Sequence, residues 1–317
     1  MNLITVTANR ACAILYNYVL HKRNGCWLIP VNVCPDIPLT LCAAKVSFEF
    51  VDINQTNLCM DENICLELLN SNRTKYVGII YVRTYGYLYD SDNFFDACRS
   101  IVPDIAIVDD RCLCLPSIEP ETFNSDLILY STGHCKQIDL GGGGYAFSKE
   151  KINIAANELF DGTNQELIYK QAYKNDTILD NIPFGWLEAS KYKDWELYKD
   201  VIISHLPKRI IKRERINNIY INNLKKGIQF STPFQNWRFN ISVLEFQKEL
   251  ILKKLFSQGL FASNHYRCAN RLFDRQIYPK ATELYNTTLN LFNDENYTDE
   301  MAIQTCELIN NVLSEKK

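Results

Sequence analysis

Residues 126–147, DLILYSTGHCKQIDLGGGGYAF, decide how the chain is read. An apolar strand at 127–130 runs into Ser131. Lys136 follows five residues later, and four consecutive glycines, 141–144, lead into a second apolar strand. A lysine set between two buried strands is costly unless its charge is used or its pKa is lowered. With a depressed pKa it becomes a good amine nucleophile toward aldehydes. Glycines carry no Cβ and let backbone pass close to a bulky group. The arrangement suits a lysine that forms a Schiff base with pyridoxal phosphate (PLP). A glycine run is a weak motif, and the same residues also fit a surface lysine before a flexible hairpin.

Working outward, strands alternate with helices through the first half. Helices are expected at 8–20, 38–44, 63–70 and 91–100 from their apolar periodicity, and strands at 26–31, 46–51, 76–82 and 104–108, the last closed by Asp109-Asp110. Strands separated by helices of about ten residues imply an α/β protein with a mainly parallel, helix-covered sheet. Functional groups in such sheets gather at the carboxyl ends of the strands. Asp110, Ser131 and Lys136 are expected just past such ends.

The segment 149–206 is rich in tyrosine and tryptophan, with a turn expected at 183–185. From Pro207 the character changes: a charged helix at 209–226, a strand at 239–243, an amphipathic helix at 244–258 closed by Gly259, and a last helix at 299–314. Residues 1–206 are read as a large domain and 207–317 as a smaller α+β domain. The basic cluster Lys208, Arg209, Lys212, Arg213 and Arg215 is read as the solvated face of its helix.

The 317 residues can bury a large core, and 47% hydrophobic with 22% charged residues is ordinary for a globular protein. A net charge of −3 argues against general binding to nucleic acid or membrane surfaces. No apolar run approaches the ~20 residues of a transmembrane helix. The first residues lack a signal-peptide pattern, so a cytoplasmic protein is expected. Twelve cysteines are scattered without a CxxC pair, and four histidines are dispersed, so no metal site is expected and the thiols are read as reduced and mostly buried.

Four segments carry a resemblance to the DegT family, PLP-dependent aminotransferases of sugar-nucleotide biosynthesis with the aspartate-aminotransferase-like type I fold. ANRACAIL (8–15) looks like the first helix, whose N-terminus helps hold the cofactor phosphate. WLIPVNVCPDIPLTLCAAKVSFEFVDIN (27–54) looks like the strand-helix-strand that follows, IAIVDD (105–110) like the strand bearing the pyridine-binding aspartate, and YSTGHCKQIDLGGGGYAF (130–147) like the lysine loop. Weaker similarity runs through GLFASNHYRC (259–268) and the last helix.

The resemblance implies that Lys136 holds PLP covalently and moves the substrate proton, and that Asp110 pairs with the pyridine nitrogen. Ser131 and the helix start at Asn9, Arg10 and Ala11 would hold the phosphate. Cys34 aligns with the position of an aromatic ring over the cofactor. His134, His265 and Tyr266 are candidates for the substrate cleft. Asp109 is expected to cap the turn after its strand, and its replacement by asparagine to be mild. The implied activity moves an amino group from an amino acid, glutamate by resemblance, to a keto-sugar nucleotide in cell-surface polysaccharide or amino-sugar biosynthesis. A homodimer is implied as well.

The chain departs from the family pattern at Cys34, at Leu113 where glutamine or histidine is common, at Arg111-Cys112 and at Asn9-Arg10. It is also short, starts almost at the first helix, and shows no clear counterpart of the Asn-x-Arg segment that reaches across the dimer in that family. A non-catalytic homologue acting as a binding or regulatory protein, or another PLP enzyme on the same scaffold, are the alternative readings. A sugar dehydratase of this kind would replace the lysine by histidine. An ordinary dinucleotide-binding domain would want G-x-G-x-x-G after the first strand, which is absent.

Overall fold

The computed structural model describes residues 3–22, 24–119, 124–154, 162–179 and 194–315. The turn expected at 183–185 lies outside them. In chain order the elements are β1 (Ile4–Ala8), α1 (Ala11–Leu20), β2 (Cys26–Pro30), α2 (Asp36–Ala43), β3 (Ser47–Val51), α3 (Glu62–Ser71), β4 (Tyr76–Val82), α4 (Asp92–Ile101), β5 (Ala106–Asp110), β6 (Leu127–Ser131) and β7 (Gly144–Ser148). There follow α5 (Gly162–Asn175), α6 (Trp195–Asn223), β8 (Phe239–Ser242), α7 (Glu245–Ser257), β9 (Ala262–Asn264), α8 (Pro279–Thr287), β10 (Thr288–Leu291) and α9 (Asp299–Ser314).

Seven strands form one sheet in the order β1-β7-β6-β5-β4-β2-β3. The neighbours from β6 to β3 pair in parallel, whereas β7 runs antiparallel to both β6 and β1. The expected mainly parallel, helix-covered α/β sheet is therefore what forms. Its inner strands are near-continuous apolar runs because both faces are covered. Alternation assigns Trp27, Ile29, Ile80, Ala106 and Val108 to one buried cluster, and Cys26, Leu28, Ile79, Tyr81 and Ile107 to another on the opposite face.

A second, three-stranded antiparallel sheet, β8-β10-β9, packs with the C-terminal part of α6, α7 and α9 around a core of Ile216, Tyr220, Phe239, Ile241, Leu289 and Ile309. Helix α6 is 29 residues long and passes through Pro207 unbroken, where the sequence reading began its helix two residues later. The C-terminal half contacts the large sheet through Ala269 N–H to Val31 O (2.9 Å) and through the Ala281 and Lys280 amides, which donate to Asp52 just past β3. Among the described residues no helix is long and apolar enough to cross a membrane.

Candidate active site

The two aspartates that close β5 point opposite ways because side chains alternate along a strand. Asp110 continues the face of Val108 and Asp109 that of Ile107. Asp109 is fully buried and clamped by two arginines. Its Oδ1 accepts from Arg83 Nε (2.7 Å), and its Oδ2 accepts from Arg83 Nη2 (3.0 Å) and Arg111 Nε (2.8 Å). This corrects the reading of Asp109 as a turn cap. The turn is capped by Asp110, whose Oδ1 accepts from the Cys112 amide at 2.9 Å. Asp110 and Ser131 are also the last residues of β5 and β6, and not, as expected, just past their ends.

Asp110 lines a cavity of about 420 Å³ together with Lys136, Cys34, Cys112, Tyr85 and Tyr266. Leu113, His265, Trp237 and Arg238 line it too. Lys136 enters from the 132–143 connection between β6 and β7, and that connection is held from three sides. Gln137 donates to Leu113 O (3.2 Å) and Asn236 O (2.8 Å), Trp237 Nε1 donates to Cys135 O (2.6 Å), and Arg213 Nη2 donates to Lys136 O (3.3 Å). Cys135, directly before the lysine, takes φ +62, a left-handed conformation uncommon outside glycine that these bonds sustain.

Burial raises the Asp110 pKa, against the Cys112 hydrogen bonds and the charge of Lys136. Burial pulls Lys136 down, but Cys112, Cys34 and Asp110 outweigh it, and its pKa lies above the ordinary value. The depressed pKa expected from burial alone is not found. Burial also pushes the Cys34 and Cys112 thiols far up.

The glycine run has a specific occupant: the start of α1. A Cβ on Gly144 would lie 2.3 Å from Ala11 N, and Gly143 N–H donates to Asn9 O at 2.6 Å. Gly143, at φ +103, is crowded on its other side by Tyr198 and Thr132, whose hydroxyls bond each other. The bulky group that these glycines admit is therefore the protein's own helix terminus. Ser131 pairs with Gly144 across the β6–β7 ladder, so the serine and the amide end of α1 flank the same glycine. Arg10 is the N-cap residue of α1 and is exposed.

Gly144→Ala is expected to push this helix end away, lowering stability by about 1–3 kcal/mol. Gly142→Ala, whose added carbon would lie 3.6 Å from Asn9 O, is the mild control in urea unfolding.

His265 and Tyr266 reach the cavity wall, but His134 is 81% exposed, 3.7 Å from Asp139. His265 is buried edge-on to Tyr85 (5.1 Å), and its Nε2 has no partner among the described residues. Burial, with Lys248 adding to it, pushes its pKa down to about 3 from an ordinary 6.5. The stability linked to this group is complete above pH 6.5 and is lost progressively as the pH falls toward 3, because only the unfolded chain takes up the proton there. His265→Phe is expected to flatten that part of the stability profile in urea titrations across the pH range. An unchanged slope would refute the assignment.

Sequence reasoning missed two buried arginines of α6. Arg209 and Arg213, read as solvated, point inward one helical turn apart, while Lys208 and Arg215 are exposed. The signal was present in their i, i+4 spacing and in continuity with Ile216 and Tyr220 along one stripe.

The seven-stranded sheet, its lysine connection and the three-stranded sheet make the fold of the type I PLP-dependent aminotransferases. No family model matches the sequence, and no curated protein does. Among solved structures the chain is similar to the PLP form of Spr1654 from Streptococcus pneumoniae, provisionally assigned as a sugar aminotransferase. Identity is 18% over 97% of this chain and 86% of that one, with a TM-score of 0.72. It is similar to PseC of Helicobacter pylori, an aminotransferase involved in the biosynthesis of pseudoaminic acid (18% identity, 97% and 86% covered, TM-score 0.69). It is similar also to the sugar aminotransferase CalS13 of Micromonospora echinospora (14%, 97% and 87%, TM-score 0.68). At such identities the likeness establishes the fold.

Proposed function

We propose that the protein is a PLP-dependent sugar aminotransferase that moves an amino group from an amino acid, glutamate by resemblance, to a keto-sugar nucleotide. The observation that carries this reading is that Lys136 and Asp110 line one cavity on one face of the sheet, while Asp109 is engaged on the other. Structures sharing this fold have been solved in PLP and pyridoxamine phosphate forms.

The residues present fit the cofactor. Lys136 would bind its aldehyde carbon, and Asp110 would hold the proton on its ring nitrogen. Ser131 and the first-turn amides of α1, from Ala11, would hold its phosphate, with Asn9 and Arg10 beside them. When bound, PLP supplies an electron sink for the bond breaking at the substrate Cα. The protein does the rest. The Lys136 amine takes and returns the Cα proton. Tyr85, Trp237 and Tyr266 wall the cavity where Cys34 offers no ring, and they keep water from the reacting carbon. The cavity edge at His265 and Tyr266 would meet the substrate.

The core built on β8–β10 would be the smaller domain, and a homodimer would complete the site. Sedimentation showing only monomer at micromolar concentration with full activity would refute the dimer.

The test of function is spectroscopic. Purified protein is mixed with PLP and then with glutamate, which is expected to shift the cofactor's absorbance; a keto-sugar nucleotide is expected to reverse the shift. Bound PLP with no response to glutamate or to other amino donors would overturn transamination and favour a binding or regulatory role.

A further inference from the structure

A second cavity, of about 280 Å³, adjoins the first and shares Lys136, Trp237, Arg238 and Phe292 with it. Arg209 and Arg213 of α6 and Arg238 at the start of β8 line it, and all three are more than nine-tenths buried. Two have carboxylate partners: Arg209 lies 2.7 Å from Glu295, and Arg238 lies 3.4 Å from Asp294. Arg213 has none among the described residues. Among the described residues its guanidinium donates only to neutral oxygens, those of Trp237, Asn293, Lys136 and Gln137. The Nε atoms of both Arg213 and Arg238 are buried without an acceptor among the described residues. A third carboxylate at the cavity, Asp139, accepts from the Cys135 and Gly141 amides of its own turn.

Burying cations beside one another without full compensation is unfavourable. Burial, then Arg238, works against the charge of Arg213 and brings its pKa down to about 10. A guanidinium fork is suited to planar or tetrahedral oxyanions. The plane of Arg238 is further fixed by the Phe292 ring, 3.4 Å from its central carbon to the centroid.

We propose that Arg213 and Arg238, with Arg209 behind them, form an oxyanion-binding subsite that holds carboxylate or phosphate oxygens of a substrate next to Lys136. The anion chemistry stands on the arginines; only the naming of the anion as part of a substrate rests on the function proposed above. Two sources share this chemistry, the carboxylate of an amino donor and the diphosphate of a sugar nucleotide.

The experiment is calorimetric titration of the PLP-loaded protein with glutarate, which has no amino group to react, and with inorganic pyrophosphate. One of the two is expected to bind at one site per chain. Arg238→Gln and Arg213→Gln are expected to weaken that binding at least tenfold, and Arg215→Gln, on the exposed face of the same helix, to leave it unchanged. Loss confined to glutarate assigns the donor carboxylate, and loss confined to pyrophosphate assigns the nucleotide. Arg238→Lys, which keeps a charge but not the fork, is titrated where a glutamine variant fails to fold. Binding of neither anion, or binding that folded Arg238 and Arg213 variants leave intact, overturns the proposal. The titration reads binding and not turnover, so its result is independent of the transamination test.

Discussion

Lys136→Ala is expected to abolish borohydride-reducible attachment of PLP and to lower multiple-turnover transamination by at least about 10⁴-fold, with the fold intact. The variant loses the group that would anchor the cofactor and carry the proton. The connection that presents it is held by Gln137, Trp237 and Arg213 through backbone oxygens and the Gln137 side chain, none of which involves the lysine side chain. Asp110 loses a charge partner, but burial already favours its neutral form. Circular dichroism and urea unfolding should therefore change little while the reducible adduct disappears. An adduct that survives in Lys136→Ala would place the reacting amine elsewhere.

The neighbouring aspartates should separate stability from chemistry. Asp109→Asn is expected to lower the unfolding free energy by about 3–5 kcal/mol, because it leaves the Arg83 and Arg111 guanidiniums buried without their carboxylate. This replaces the mild effect expected from sequence. Asp110→Asn is expected to leave stability near the parent value and to slow transamination strongly, since the ring nitrogen would lose its partner. Urea unfolding and single-turnover rates on both variants decide the matter. A stable Asp109→Asn with impaired transamination, beside an unstable Asp110→Asn, would show that the two faces of β5 have been exchanged.

Much of the sheet is legible in local pattern. β4 occupies the seven predicted residues and α9 the sixteen, because a continuous apolar run and a capped amphipathic period are short-range signals. Thr298 at the α9 N-cap accepts from the Met301 amide as its position suggests. β1 was missed: ITVTA is short and lies against β7, more than a hundred residues away in the chain. β9, α8 and β10 were missed as well; β9 and β10 are short strands defined by pairing with each other and with β8. Helix α6 was begun too late because proline ordinarily ends a helix, whereas here packing at Tyr198, Ile202 and Ile216 carries it through Pro207.

The same division runs through the site. Alternation along IAIVDD requires, from sequence alone, that Asp109 and Asp110 face opposite sides, but only the folded sheet decides which side meets Lys136 and which meets Arg83. Four glycines in a row announce a close approach, and the structure names what approaches, the first turn of α1. The charges of α6 look alike in sequence; Arg213 is buried against Trp237 and the lysine connection and Arg209 beside Glu295, whereas Lys208 and Arg215 are exposed. The sequence by itself determined most strands and helices of the large sheet and the residue types that chemistry would need. Which of those residues share a cavity was decided by tertiary structure, because contacts between segments a hundred residues apart leave no periodicity in either segment.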